Sequence, residues 1–238
     1  MFRFVTKEEY WQVEDSGLLD KLPRAPFGWH MKNIQDAMAF SLLRSCRGQT
    51  IAEVGGGDSR LLPALAAHNR CVNIEPYEGI GCGPKTNTLP DSITNIPAYL
   101  GRTRQSIRDE TFDVVFSISV LEHVPDEELE GFLQDAARIS KKGGLGLHLI
   151  DVYTSESPPS ALVERQRRTG DIFFSHFTPL SEDLLGQDGD WRKDLIFRCS
   201  CATNPDDAMN RWNHIAPSLR HIRATHQSCS LILAGRAK

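Results

Sequence analysis

The chain has 238 residues, 40% apolar and 24% charged, with a formal net charge of −4. That balance excludes a disordered or fibrous chain, leaves material for a sizeable core, and fits one to two domains. It disfavours a nucleic-acid binder acting through bulk positive charge, and the longest stretch free of Lys, Arg, Asp and Glu, the twelve residues 224–235, is too short to span a membrane. The charged first residues do not form the apolar run of a secretory leader, so a cytoplasmic protein with six free cysteines is expected.

Residues 1–30 are mixed and rich in aromatics. Met31, Ile34, Met38 and Leu42 recur at helical spacing, which predicts a helix over 31–46 stopped by Gly48. Residues 50–54 read as a strand running into Gly55, Gly56 and Gly57. A helix over 61–68 follows, with Pro63 in its first turn. Residues 71–75 read as a second strand. The Gly- and Pro-punctuated stretch 76–95 reads as a long loop. A weak strand over 96–100 precedes a strong one at 114–118, whose continuous apolar run suits burial on both faces. A helix over 126–140 ends at Lys141–Gly144 and leads to a strand over 145–152.

The alternation argues for a doubly wound α/β fold. Residues 153–218 break it, with a basic helix-like stretch (Arg165, Arg167, Arg168), the aromatic segment 173–177 and an acidic turn at 188–190. Two β-like runs, 219–225 and 228–234, suggest a terminal hairpin.

The most informative stretch is Glu53-Val54-Gly55-Gly56-Gly57-Asp58-Ser59, placed after a strand and before a helix. Glycines there allow a tight turn and close backbone approach to a ligand. Glu75 ends the next strand, where a carboxylate can accept hydrogen bonds from a ribose diol. A nicotinamide site needs a third glycine where this chain has Arg60.

Together these motifs resemble the class I S-adenosylmethionine-dependent methyltransferases, in particular their small-molecule members. The (Asp/Glu)-x-Gly-x-Gly motif is matched by Glu53, Gly55 and Gly57, and the acidic end of the second strand by Glu75. Phe-Asp-x-Val and Leu-Glu-His-Val are matched by Phe112–Val115 and by Leu121 to Val124, and the Lys-x-Gly-Gly turn by Lys141 to Gly144. The resemblance covers residues 49–152, with 219–234 matching the last two strands. It implies a Rossmann-like fold with a mostly parallel seven-stranded sheet in a single domain. That domain divides into an N-terminal helical cover (1–48), a cofactor-binding core (49–152), a lid-like insertion (153–218) and a terminal hairpin (219–238).

The resemblance also implies S-adenosylmethionine as cofactor. Glu53, Gly55, Gly56, Gly57 and Ser59 would lie at its methionine part, with Glu53 acting there or bracing the loop. Glu75 would hold the ribose and Pro76 would lie by the adenine. Leu100 and Gly101 would flank the base, and Ser117 and Ser119 would face the methionine end. The expected reaction is methyl transfer to a small-molecule acceptor at oxygen or nitrogen. The alternative is a methyltransferase-like binding or interaction module without catalysis.

An acceptor of high pKa needs a base. Candidates are His123 with Glu122 after the fourth strand, His176 in the insertion, and Asp151 and Tyr153 ending the fifth strand. Leu121 to Val124 can equally be a cap for the next helix. His148, mid-strand, reads as a satisfied core histidine. A subset of the family places a divalent metal at a Glu-x-x-Glu-His sequence. Here the first acidic position is Ser119, so no metal site is expected.

Overall fold

The computed structural model describes residues 1–23, 31–79, 83–102, 106–154, 160–181, 196–199 and 227–238. At its centre is a nine-stranded sheet, with strands β1 (Phe2–Phe4), β2 (Thr50–Val54), β3 (Arg70–Ile74), β4 (Thr94–Ile96), β5 (Phe112–Ile118), β6 (Ser140–Thr154), β7 (Phe177–Pro179), β8 (Arg198–Cys199) and β9 (Gln227–Ala237). The order is β1-β9-β6-β5-β2-β3-β4, with β7 and β8 also on β9. Strands β4, β3, β2, β5 and β6 pair in parallel. β9 runs antiparallel to β6, and β1, β7 and β8 run antiparallel to β9, so β9 alone opposes the common direction.

The expected seven strands correspond to seven columns. The outermost column is built from three short pieces laid end to end along β9: β8 opposite Cys229 and Ser228, β1 opposite Leu231 to Leu233, and β7 opposite Gly235 to Ala237. Among the described residues these pieces take the place of the expected hairpin partner, since 219–225 lies outside them. The N-terminal cover is therefore more than helical, because Phe2–Phe4 joins the sheet before helix α1 (Lys7–Asp15). Thr6 and Glu9 cap α1 reciprocally: the Glu9 amide donates to Thr6 Oγ1 at 3.2 Å and the Thr6 amide to Glu9 Oε2 at 2.9 Å.

Strands buried on both faces send alternate side chains to opposite layers. Ile51, Val114, Phe116, Leu145, Leu147 and Leu149 meet α1, α2 (Met31–Leu43) and α3 (Leu62–Ala66). Ala52, Val115, Ile150 and Val152 meet α4 (Leu129–Ile139) and α5 (Ser160–His176). In α4 the residues Leu129, Phe132, Leu133, Ala136 and Ile139 form one apolar stripe at helical spacing. Among the described residues no helix is long and apolar enough to cross a membrane.

Two boundaries differ from the sequence reading. β4 ends at Ile96, before Pro97, which has no amide hydrogen for a ladder. The Lys141–Gly144 stretch does not stand between helix and strand. It is absorbed into β6 at a register shift opposite Phe112 and Val114, with Gly143 at φ 74°.

The outer column is closely packed. A Cβ on Gly235 would sit 2.7 Å from the Thr178 carbonyl oxygen and 2.9 Å from Phe177 Cβ. Gly235→Ala is therefore expected to cost about 1–3 kcal/mol. Urea unfolding should show this as a lower midpoint with unchanged slope.

Candidate active site

β2 lies between β3 and β5, and the chain leaves β2 and β5 toward opposite faces of the sheet: α3 packs in one layer and α4 in the other. Such a switch point leaves a crevice beyond the carboxyl ends of the strands. The glycine turn occupies it. Gly55 and Gly57 have φ of 66° and 52°, and a Cβ on Gly55 would fall 2.6 Å from Val120 Cγ2. Gly56 has no more room, since its Cβ would meet Asn73 Oδ1 at 2.6 Å.

Glu53 braces this turn from below. Its buried carboxyl accepts a short hydrogen bond from the Ser59 hydroxyl, which itself accepts from the amides of Leu61 (3.2 Å) and Leu62 (3.0 Å). Glu53 and Ser59 thus tie β2 to the start of α3. Burial drives the Glu53 pKa up to about 8. Arg60, which spoils the nicotinamide pattern, turns to α2 and pairs with buried Asp36, Nε to Oδ2 at 2.5 Å.

Glu75 follows β3 at the same edge, partly exposed, and its Oε1 accepts from the Tyr77 amide at 3.1 Å. Pro76 is half-buried beside it. The described parts of the long loop hold no helix or strand up to β4, as expected, and they fold back over the glycine turn. Tyr77, at φ 56°, places its hydroxyl 3.2 Å from the Gly57 carbonyl and 2.9 Å from Asn87 Oδ1, and Thr88 donates to Asp58. The sequence reading missed Tyr77 and Asn73, although a tyrosine two residues past an acidic strand end is a visible signal. Leu100 is buried in the core, and the Gly101 amide donates to Asp135 Oδ2 of α4 at 2.8 Å.

Beyond β5 and β6 the edge is polar. Ser119, at φ 53°, sets its hydroxyl 2.7 Å from Asp151 Oδ1 and 2.9 Å from Gln35 Oε1; its one proton serves one of them. Gln35 Nε2 donates to Asp151 Oδ1 at 2.7 Å. Positive φ at a non-glycine residue is strain of the kind that collects at functional sites. Leu121–His123 forms a single 3-10 turn over this edge. The Glu122 side chain is 14% exposed, and both its oxygens are buried without a hydrogen-bond partner. Burial, reinforced by Asp151, raises its pKa well above the ordinary 4.5; the amides of Glu122 and Asp151 pull the other way without closing a hydrogen bond. His123 is 76% exposed at the mouth, with Nε2 3.8 Å from Glu122 Oε1. α5 staples this turn: Arg165 Nη2 donates to the carbonyls of Val124 (2.6 Å) and Leu121 (3.1 Å), and Nη1 pairs with Asp126.

Two expected residues lie elsewhere. Ser117 does not face the crevice: its hydroxyl sits 2.8 Å from His148 Nδ1 inside the α4–α5 layer, between neighbouring strands. Burial holds the His148 pKa down to about 3, and its Nε2 has no partner, so this core histidine is only half satisfied. His176 ends α5 directly before β7, and β7 pairs with the Gly235–Ala237 end of β9, alongside the start of β6. That is the opposite edge of the sheet from Ser119 and Glu122, so His176 cannot reach the crevice. The register of β7, which fixes this, is not visible in local sequence. Among the described residues no group of three or more His, Cys, Asp and Glu is arranged to hold a metal ion. The acidic turn at 188–190 lies outside the described residues.

A doubly wound sheet with a glycine turn at its switch point and an acidic residue closing the next strand defines a nucleotide-type cofactor fold. Residues 52–147 match the family described as "Methyltransferase domain". It is 36% identical over 110 residues to the ubiquinone biosynthesis O-methyltransferase of Paramagnetospirillum magneticum, a match covering 44% of this chain and 41% of that protein. The fold is shared with phosphoethanolamine N-methyltransferase 2 of Haemonchus contortus, solved with S-adenosyl-L-methionine (TM-score 0.54, 15% identity, 90% of this chain and 53% of that one). It is also shared with N-methyltransferase NodS of Bradyrhizobium japonicum (TM-score 0.51, 13% identity, 87% and 96%).

The brace beneath the turn has a measurable signature. The folded protein keeps Glu53 protonated to about pH 8, whereas its ordinary pKa is 4.5. Unfolding is therefore favoured progressively as pH rises through that window, and the effect levels off above it. Glu53→Gln is expected to gain about 2–4 kcal/mol relative to wild type between pH 4.5 and 8. Urea unfolding of both proteins at pH 5, 7 and 9 checks the sign, and a constant difference across this range would refute it.

Proposed function

We propose that the protein transfers the methyl group of S-adenosylmethionine to the oxygen or nitrogen of a small-molecule acceptor. The carrying observation is the pair of left-handed glycines, Gly55 and Gly57, at the end of β2, beside Glu75 at the end of β3, all within the methyltransferase-domain segment.

The residues present fit the cofactor. The glycine turn brings backbone to an edge where side-chain bulk is excluded, and Glu75 supplies a partly exposed carboxylate for a ribose diol. Asn73 Oδ1 is buried at this edge without a partner, as a group awaiting a ligand would be. When bound, S-adenosylmethionine supplies a methyl group on a positively charged sulfur, poised for in-line displacement. The protein's share is then mostly positioning. Gly55 to Gly57 pass beneath the methionine part, Glu75 holds the ribose, and Pro76 lies toward the base. Glu53 and Ser59 hold the turn without touching the ligand. Asp151 and Glu122, with His123 at the mouth, flank the side from which an acceptor enters, and a carboxylate or imidazole there can take the acceptor's proton.

Calorimetric titration with S-adenosylhomocysteine tests the cofactor half of this reading, and absence of binding at about 1 mM, roughly 4 kcal/mol of affinity, would refute it. Glu75→Ala should weaken that binding by about 1.5–3 kcal/mol through loss of charged hydrogen bonds. An acceptor screen with methyl-labelled donor tests the catalytic half: turnover should fall in His123→Ala and persist in His176→Ala, whose side chain lies at the far edge.

A further inference from the structure

Glu122 is the anomaly of the site. Its carboxyl is enclosed, yet neither oxygen receives a hydrogen bond. The other buried carboxyl at this edge, Glu53, has a hydroxyl donor in Ser59. A buried carboxyl with both oxygens left open points to a missing donor.

The groups around it state what kind of donor. Asp151 comes from β6, Lys32 from α2, Arg165 from α5 and His123 from the same turn, and all four act electrostatically on Glu122 or lie against it. Arg165 is already balanced by its ion pair with Asp126. His123 is neutral at pH 7, because partial desolvation holds its pKa below 6.5. Even with Lys32 counted in full, ionised Glu122 and Asp151 leave one uncompensated negative charge. Without a ligand a proton on Glu122 removes it.

We propose that Glu122 and Asp151 form a seat for a protonated amine of the acceptor, which replaces that proton and supplies the donors Glu122 lacks. This rests on the methyl-transfer reading above and narrows its acceptor to amine-bearing molecules. An ammonium group offers three N–H donors and one positive charge. Its three donors match in number the two open Glu122 oxygens and the Asp151 carboxylate that acts on them. A hydroxyl offers one donor and no charge, and leaves the carboxyl pair unbalanced.

The test uses the full chain saturated with S-adenosylhomocysteine. Benzylamine and benzyl alcohol are titrated at pH 7 by calorimetry, each in phosphate and in Tris. The amine is expected to bind at least tenfold tighter than the alcohol. Its binding heat should differ between the buffers by a net release of up to one proton, the proton that leaves Glu122. Glu122→Gln should abolish both the preference and the proton release while leaving S-adenosylhomocysteine affinity within twofold. Lys32→Gln should strengthen amine binding severalfold. Equal binding of amine and alcohol by the wild type would overturn the proposal without any variant, as would an amine preference that survives Glu122→Gln. Loss of S-adenosylhomocysteine binding with the amine preference intact would instead remove the methyl-transfer reading and leave the amine seat standing.

Discussion

The constraint on which the rest depends is the sharing of β2 by two parallel neighbours whose following helices lie on opposite faces of the sheet. Parallel strands must be joined by crossovers, and crossovers that diverge cannot cover the gap between them. The carboxyl ends of β2, β3 and β5 therefore open onto a crevice whose polar groups the sheet itself does not satisfy. The glycine turn is one answer, since it bends the chain away tightly and spends its first amide on the Ile74 carbonyl. The strained Ser119 and Tyr77 backbones flank the same opening. Strain, close glycine approaches and unpartnered oxygens thus coincide where the topology leaves the least internal satisfaction.

Two buried carboxyls at this edge show how partners separate structure from ligand recognition. Glu53 and Glu122 are both raised in pKa by loss of solvent. Glu53 is tied through Ser59 to the amides that open α3, so its neutral form completes a local network. Glu122 has the same desolvation and no network. Desolvation without compensation is expensive, and proteins keep such groups where another molecule supplies the compensation. The same distinction separates Ser117, consumed by His148 inside the helix layer, from Ser119, whose hydroxyl reaches Asp151 at the edge.

The cofactor half of the fold is legible because its signals are local. An apolar run entering three glycines, an acid ending the next strand, and a β5 apolar on both sides all lie within short windows, and the elements form near where those windows place them. What was not legible depends on distant pairing. Phe2–Phe4 is a strand only because Leu231 to Leu233 offers an open edge at the far end of the chain. His176 sits in an aromatic segment that suggests a pocket, but the register of β7 on β9 carries it away from the crevice. Ser117 differs from both, because side-chain alternation along β5 is by itself enough to turn it to the face of Val115, the α4 side. Glu122 follows β5 and Asp151 lies in β6 just past the Ile118–Leu149 register pair, which makes their meeting legible once β5 and β6 are taken as a pair.

The outer column shows how described parts of the covering half attach to the sheet. β9 is long enough to hold β8, β1 and β7 in succession, so segments from the N-terminus and from beyond α5 share one edge that is remote from β2. Each piece is short, and a short strand contributes few ladder bonds. Its stability therefore comes from side chains such as the stacked Phe173 and Phe177, 4.3 Å apart, under Gly146 and Gly235. Two helices of this covering half reach back to the crevice: Gln35 of α2 bonds Ser119 and Asp151, and α5 acts through Arg165. Arg165 of α5 holds the carbonyls of Leu121 and Val124, on either side of Glu122 and His123. The position of the acid that lacks a partner is thus set by a helix that the glycine turn never touches. The Glu122 side of the crevice is held by α5, and the glycine turn by β2, Glu53 and α3.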